Sequence, residues 1–146
     1  SAAPTAQGFA CCAYEDIAQL LPRSEWLVLA CPLTPRTHHL INAAALRALP
    51  AGAGLINVAR GDVVDEAALI AALQGGHLAG AYLDVFAHEP LATDSPLWAL
   101  PQVLATPHSA GFSAGNAQRV VNIFLANLRR YAQGRLQALQ ARSDQG

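Results

Sequence analysis

The stretch AGLINVARGDVVDEAAL, residues 53–69, decides how this chain folds. Gly54 to Ala59 is an apolar run of the length expected for a buried strand, and Asp65 can cap a helix that runs through Leu73. Gly75 and Gly76 follow as terminators. Between strand and helix stands Arg60, with Gly61 after it to let the backbone turn sharply. A guanidinium at the mouth of an apolar strand has two readings. It is a solvated loop group paired with Asp62 or Asp65, or it grips an anion through two parallel hydrogen bonds.

The strand–helix alternation continues on both sides. GFACCAY (Gly8 to Tyr14) reads as a short strand, followed by a helical segment from about Glu15 to Leu21 that Pro22 stops. WLVLAC, Trp26 to Cys31, is a continuous apolar run closed by Pro32, as in a strand covered on both faces. Asn42 caps a short helix over Ala43 to Leu49, ended by Pro50. LAGAYLDVF and VLATPH supply two further strands. A last helix, Ser113 to Tyr131, sets Ala117, Val120, Val121, Phe124, Leu125, Leu128 and Tyr131 on one broad apolar face. This pattern predicts an α/β fold, a parallel sheet wound by right-handed crossovers with helices on both sides. The expected body spans residues 1–133, with a polar, frayed tail over 134–146.

Composition excludes several functions. Of the 146 residues, 53% are hydrophobic and 13% charged, and the formal net charge is −1. That is neither a disordered chain nor a basic surface for nucleic acid. No apolar run has the roughly 20 residues that span a bilayer, and SAAPTAQGFA lacks the parts of a signal peptide. A cytoplasmic protein is expected, with no membrane or nucleic-acid partner. The absence of methionine, even at position 1, suggests a chain that begins inside a larger protein.

In a parallel α/β sheet, function gathers at the carboxyl ends of the strands. Arg60, Cys31-Pro32, Asp84 and Thr106-Pro107-His108 all fall there. His108, fixed by the preceding proline, can exchange a proton near neutral pH if a carboxylate such as Glu89 holds its ring; alone, each is an ordinary loop residue. Asp84 is expected to be partly buried, and its donor is a ligand amide or a backbone N–H of the following turn. Other features carry no chemistry. GAGLIN precedes its strand and is not a phosphate loop. The adjacent pairs Cys11-Cys12 and His38-His39 lack zinc-site spacing, so no metal is expected, and the three cysteines read as buried, inert thiols.

Taken together, CPLTPRTHHLIN, INVARGDVVDEAALIAAL, GHLAGAYLDVF, HEPL, SPLW and VLATPHSAG resemble, in order, the nucleotide-binding domain of the D-isomer-specific 2-hydroxyacid dehydrogenases. The wording SPLW and TPHSAG is most similar to the glyoxylate/hydroxypyruvate reductase branch. The resemblance implies a Rossmann-like domain that passes a hydride between NAD or NADP, the latter favoured by the branch, and a small 2-oxo or 2-hydroxy acid. It implies that Arg60, Glu89 and His108 are the catalytic residues. It further implies that Cys31, Pro32, Leu33, Val58, Ala59, Arg60, Asp84, His108, Ala110 and Gly111 line the cofactor, with Asp84 receiving its carboxamide. A homo-oligomer is expected.

The chain departs from the family in one large respect. The GxGxxG turn and its first βαβ unit are not found, nor is the substrate domain, so these residues read as the C-terminal portion of a dinucleotide-binding domain. By this reading the chain alone is catalytically silent, and the last helix runs toward a missing domain. The alternatives are a non-catalytic dimerisation or corepressor-like module of the same fold, or an inactive fragment.

Overall fold

A computed structural model describes residues 11–138. Four strands form one parallel sheet in the order β1 (Trp26–Leu29), β2 (Ala53–Asn57), β3 (Leu78–Leu83), β4 (Val103–Ala105). Helix α1 (Ala43–Ala48) lies between β1 and β2 in sequence, and α2 (Glu66–Gln74) between β2 and β3. Consecutive strands are neighbours and all are parallel, so right-handed crossovers carry both helices to one face. The chain forms two compact units, the first ending at His108 and the second beginning at Ser109. The second unit holds α3 (Asn116–Ala132) and a 3₁₀ turn, Leu136–Ala138, where a frayed tail was expected.

The core of the first unit lies on the helix-covered face. Leu29, Leu55, Ala81 and Leu83 meet Leu46 and Leu49 of the α1 segment and Leu69 and Leu73 of α2, all buried. Each such leucine contributes about 2 kcal/mol relative to exposure. The opposite face carries Trp26, 67% exposed, with Val28 and Leu104 also exposed. The expectation that β1 is covered on both faces is therefore corrected: among the described residues the face carrying Trp26 and Val28 is open, and the apolar run alone could not distinguish the two cases. Trp26 lays its ring over Gly54 of the neighbouring strand, within 2.4 Å of where a Cβ would stand.

Local signals set the helix ends. The Asn42 carboxamide oxygen accepts from Ala44 N at 3.0 Å and Ala45 N at 3.1 Å, and Asp65 accepts from Ala68 N at 3.1 Å. Gly76, with φ +69°, takes the left-handed position after α2. The N-terminal reading is corrected. Cys11–Ala13 form no strand, Gly8–Ala10 lie outside the described residues, and 14–23 form two 3₁₀ segments with Pro22 inside the second. Cys11 and Cys12 are exposed, not buried. Helix α3 has no buried residue, so Val120, Phe124 and Tyr131 of its apolar face are exposed.

At six residues, α1 is too short to persist on propensity, so its cap and its buried face must hold it. Asn42→Ala should lower the stability of the 146-residue chain by about 1 kcal/mol. Leu46→Ala should cost about 2–5 kcal/mol. Urea denaturation followed by circular dichroism measures both, and equal midpoints for Asn42→Ala and wild type would remove the cap from the account.

Candidate functional site

Because every strand is parallel, all four carboxyl ends meet at one rim. The hydrogen-bond ladder runs past the strands there. Val58 N donates to Leu29 O, Asp84 N to Asn57 O, Thr106 N to Leu83 O and His108 N to Asp84 O, at 2.9–3.1 Å. With strands spaced about 4.8 Å apart, the rim is about 14 Å across, and a ligand laid over it meets residues from all four loops.

Arg60 leaves this rim from a turn made by Asn57. The buried Asn57 side chain accepts from Ala59 N and donates to Arg60 O, both at 3.0 Å. Its amide thus replaces the ladder, and β2 stops at Asn57, two residues before the predicted end. The Arg60 guanidinium is exposed and donates to Ala59 O at 2.6 Å. Among the described residues the ion pairs are Arg36–Glu15 and His108–Glu89, so Arg60 is paired with neither Asp62 nor Asp65. Gly61 has a different role from the one expected. A Cβ there would stand 1.9 Å from the carbonyl carbon of Phe86, so close approach of two backbones, not turning, requires glycine.

Glu89 and His108 come together as expected. His108 Nδ1 and Glu89 Oε2 are 2.8 Å apart, while Glu89 Oε1 accepts from Phe86 N at 3.1 Å. Glu66 of α2 steadies the same loop by accepting from Ala87 N at 3.1 Å. With the carboxylate as acceptor, Nδ1 carries the hydrogen and Nε2 is the atom left to exchange a proton. The hydrogen bond from His108 holds the Glu89 carboxyl below the usual glutamate range, burial opposes this, and the Phe86 N–H and the charges of His108 and Arg60 reinforce it. His108 itself sits at φ 51°, a left-handed conformation that histidine adopts more readily than most residues.

Asp84 is 1% exposed, deeper than predicted, and its Oδ1 accepts from Thr106 Oγ1 at 2.5 Å. This donor is a hydroxyl from the adjacent strand end, which the sequence reading did not anticipate. Tyr82 OH lies 3.0 Å from Thr106 Oγ1 and is the donor to it once the threonine proton is given to Asp84. A cleft of about 310 Å³ opens beside the pair, with Glu89 and His108 on one wall and Phe86, Leu91, Trp98 and Thr106 among the rest. At the other end of the rim, the buried Thr37 hydroxyl donates to Pro32 O at 2.7 Å and fixes the Cys31-Pro32-Leu33 turn. Burial pushes the Cys31 thiol up. Val58 and Ala59 lie between these ends, whereas Ala110 and Gly111 belong to the second unit. The bonds of Thr106, Tyr82 and Glu66 are contributions that sequence reasoning missed, because their partners are distant in sequence; that of Thr37, five residues from its partner, was missed although it is local.

Residues 2–110 match the family model described as D-isomer specific 2-hydroxyacid dehydrogenase, NAD binding domain. The chain is 52% identical over 95 residues to glyoxylate/hydroxypyruvate reductase B of Klebsiella pneumoniae, covering 65% of this chain and 29% of that protein. It is 45% identical over 116 residues to (S)-sulfolactate dehydrogenase of Chromohalobacter salexigens, covering 80% and 38%. The crystal structure of a D-isomer specific 2-hydroxyacid dehydrogenase from Xanthobacter autotrophicus in complex with NADPH and MES superposes with a TM-score of 0.84 at 46% identity, covering 97% of this chain and 59% of that one. The chain thus spans less than two fifths of the length of either curated relative.

The hydrogen bond to His108 can be tested without any ligand. In His108→Asn, a residue that tolerates the left-handed backbone, the Glu89 carboxyl should titrate closer to the ordinary glutamate value. Carboxyl-carbon NMR reads this directly, and an unmoved Glu89 titration would separate the two residues. The sign for stability follows. Because Glu89 is depressed in the fold, its contribution is present above about pH 4.5 and is lost as pH falls through its lower folded value.

Proposed function

This chain belongs to the D-isomer specific 2-hydroxyacid dehydrogenase family, and we propose that it carries the proton-handling and carboxylate-binding groups of such an enzyme. The substrate class is a small 2-oxo acid and its 2-hydroxy product, with glyoxylate and hydroxypyruvate the first compounds to assay. The single observation that carries this reading is the Glu89–His108 hydrogen bond at the rim, where the Arg60 charge is also felt.

The residues fit a nicotinamide dinucleotide. Parallel strand ends form its usual seat, and a buried carboxylate, Asp84, stands at the rim. A carboxylate in that position can offer acceptor oxygens to a carboxamide. Cys31, Pro32, Leu33, Val58 and Ala59 would flank the cofactor from the loops after β1 and β2. NADPH or NADH, when bound, supplies the hydride; the NADPH complex of the Xanthobacter protein favours the former.

The chain's own residues do the rest. Arg60 grips the substrate carboxylate through two parallel N–H bonds and sets the 2-oxo carbonyl toward His108. His108 gives the proton on Nε2 to the carbonyl oxygen as C2 is reduced, and takes it back from the hydroxyl in the reverse direction. Glu89 positions the ring by accepting from Nδ1. Homo-oligomeric association and a cytoplasmic location belong to the same proposal. The exposed apolar residues of α3 support the first, and reliance on the cell's reduced nicotinamide supports the second.

Arg60→Lys keeps the charge and loses the planar grip. In the longest polypeptide that contains this chain, kcat/KM for glyoxylate and hydroxypyruvate should fall by about 10²-fold or more, with NADPH affinity little changed. Near wild-type kinetics in that variant would take Arg60 out of the site.

A further inference from the structure

We propose that His38, His39 and Asp62 bind one divalent transition-metal ion, with zinc the best match. The adjacent histidines lack zinc spacing by themselves, and the fold supplies the third donor from 23 positions on, placing ligand atoms of all three side chains within 4.8 Å of one another. Two imidazoles and a carboxylate are a donor set that zinc, nickel and iron accept, and three protein ligands leave a position for water or an outside donor. Tetrahedral zinc with bonds of about 2.0–2.1 Å needs donors about 3.4 Å apart, so the ligand atoms must close by about 1.4 Å at most, the stacked rings turning as they do so.

Two features favour an ion over an ordinary polar surface. The backbones that carry the ligands are pinned together: His39 N donates to Asp62 O at 2.8 Å, Ile41 N to Val63 O at 3.1 Å and Asp65 N to Ile41 O at 3.0 Å. His39 is held at φ 48° beside this seam, and its ring stacks on that of His38 with centroids 4.1 Å apart. Secondly, the donors have no competing use. Among the described residues no hydrogen bond or ion pair engages the Asp62 carboxylate or either ring, whereas His77 meets Leu46 O and His108 meets Glu89. An ion here would tie the loop after β1 to the turn after Arg60.

Calorimetric titration with zinc chloride tests this in the 146-residue chain carrying Cys11→Ser, Cys12→Ser and Cys31→Ser, which removes thiolate competitors. One ion per chain is expected. His38→Asn, His39→Asn and Asp62→Asn should each weaken binding at least about 10-fold, and asparagine keeps the left-handed backbone at 39 accessible. Histidine proton NMR provides a reading without those three variants. The His38 and His39 ring signals should move with zinc before those of His77, His88 and His108. No binding at about 1 mM zinc, binding undiminished by all three substitutions, or first movement of the other three histidines would each overturn the assignment.

Discussion

Everything at the rim depends on a parallel ladder that does not stop where the strands do. Four backbone hydrogen bonds, from Val58, Asp84, Thr106 and His108, continue the pairing into the loops. Backbone amides in such a ladder must be satisfied wherever water is excluded, so the chain beyond each strand is held in step with its neighbour. This is why residues as far apart in sequence as Glu89 and His108 meet within 2.8 Å. The left-handed backbone of His108 persists for the same reason, since its N–H is claimed by Asp84 O.

Much of this was legible in the residues. Asn42 and Asp65 cap helices because short polar side chains before apolar periodic runs have few other uses, and the structure gives both their backbone partners. The glutamate–histidine contact was legible from the motifs that carry the two residues. What local sequence hid was every choice made by tertiary partners. An asparagine ended β2 by turning its amide onto the next residues; the polar residue is visible inside Gly54 to Ala59, but not that its side chain takes over from the ladder. The same holds for Thr106, which reads as the residue before a proline and proves to be the donor to a buried carboxylate. WLVL reads as buried on both sides because an apolar side chain on an open face of a sheet looks no different in sequence from one on a covered face. His38 and His39 were dismissed on spacing, a criterion blind to a donor brought in from a neighbouring loop.

The rim also separates two electrostatic environments. Glu89 and His108 are partly exposed, so water and salt can reach the pair and its proton can exchange. Asp84 is sealed beneath it and held by a neutral hydroxyl. One carboxylate thus faces a histidine beside solvent, the other a hydroxyl in a site closed to solvent. Their residue types are nearly identical, and depth and neighbours together assign the difference.

Gly61 packs its α-carbon against the Phe86 carbonyl, and the N–H of the same Phe86 is bound by Glu89. Mechanically, this is a bearing with no clearance. The turn after Arg60 and the Glu89 carboxylate engage the two peptide groups that flank the Phe86 α-carbon, so neither can be displaced inward without driving the other. The spacing between the guanidinium's anchor and the carboxylate's anchor is thus set by contact between main chains. Only the last few bonds of each side chain remain adjustable, and a ligand that drew Arg60 toward itself would do so by bending those bonds, leaving the seat of Glu89 where it was.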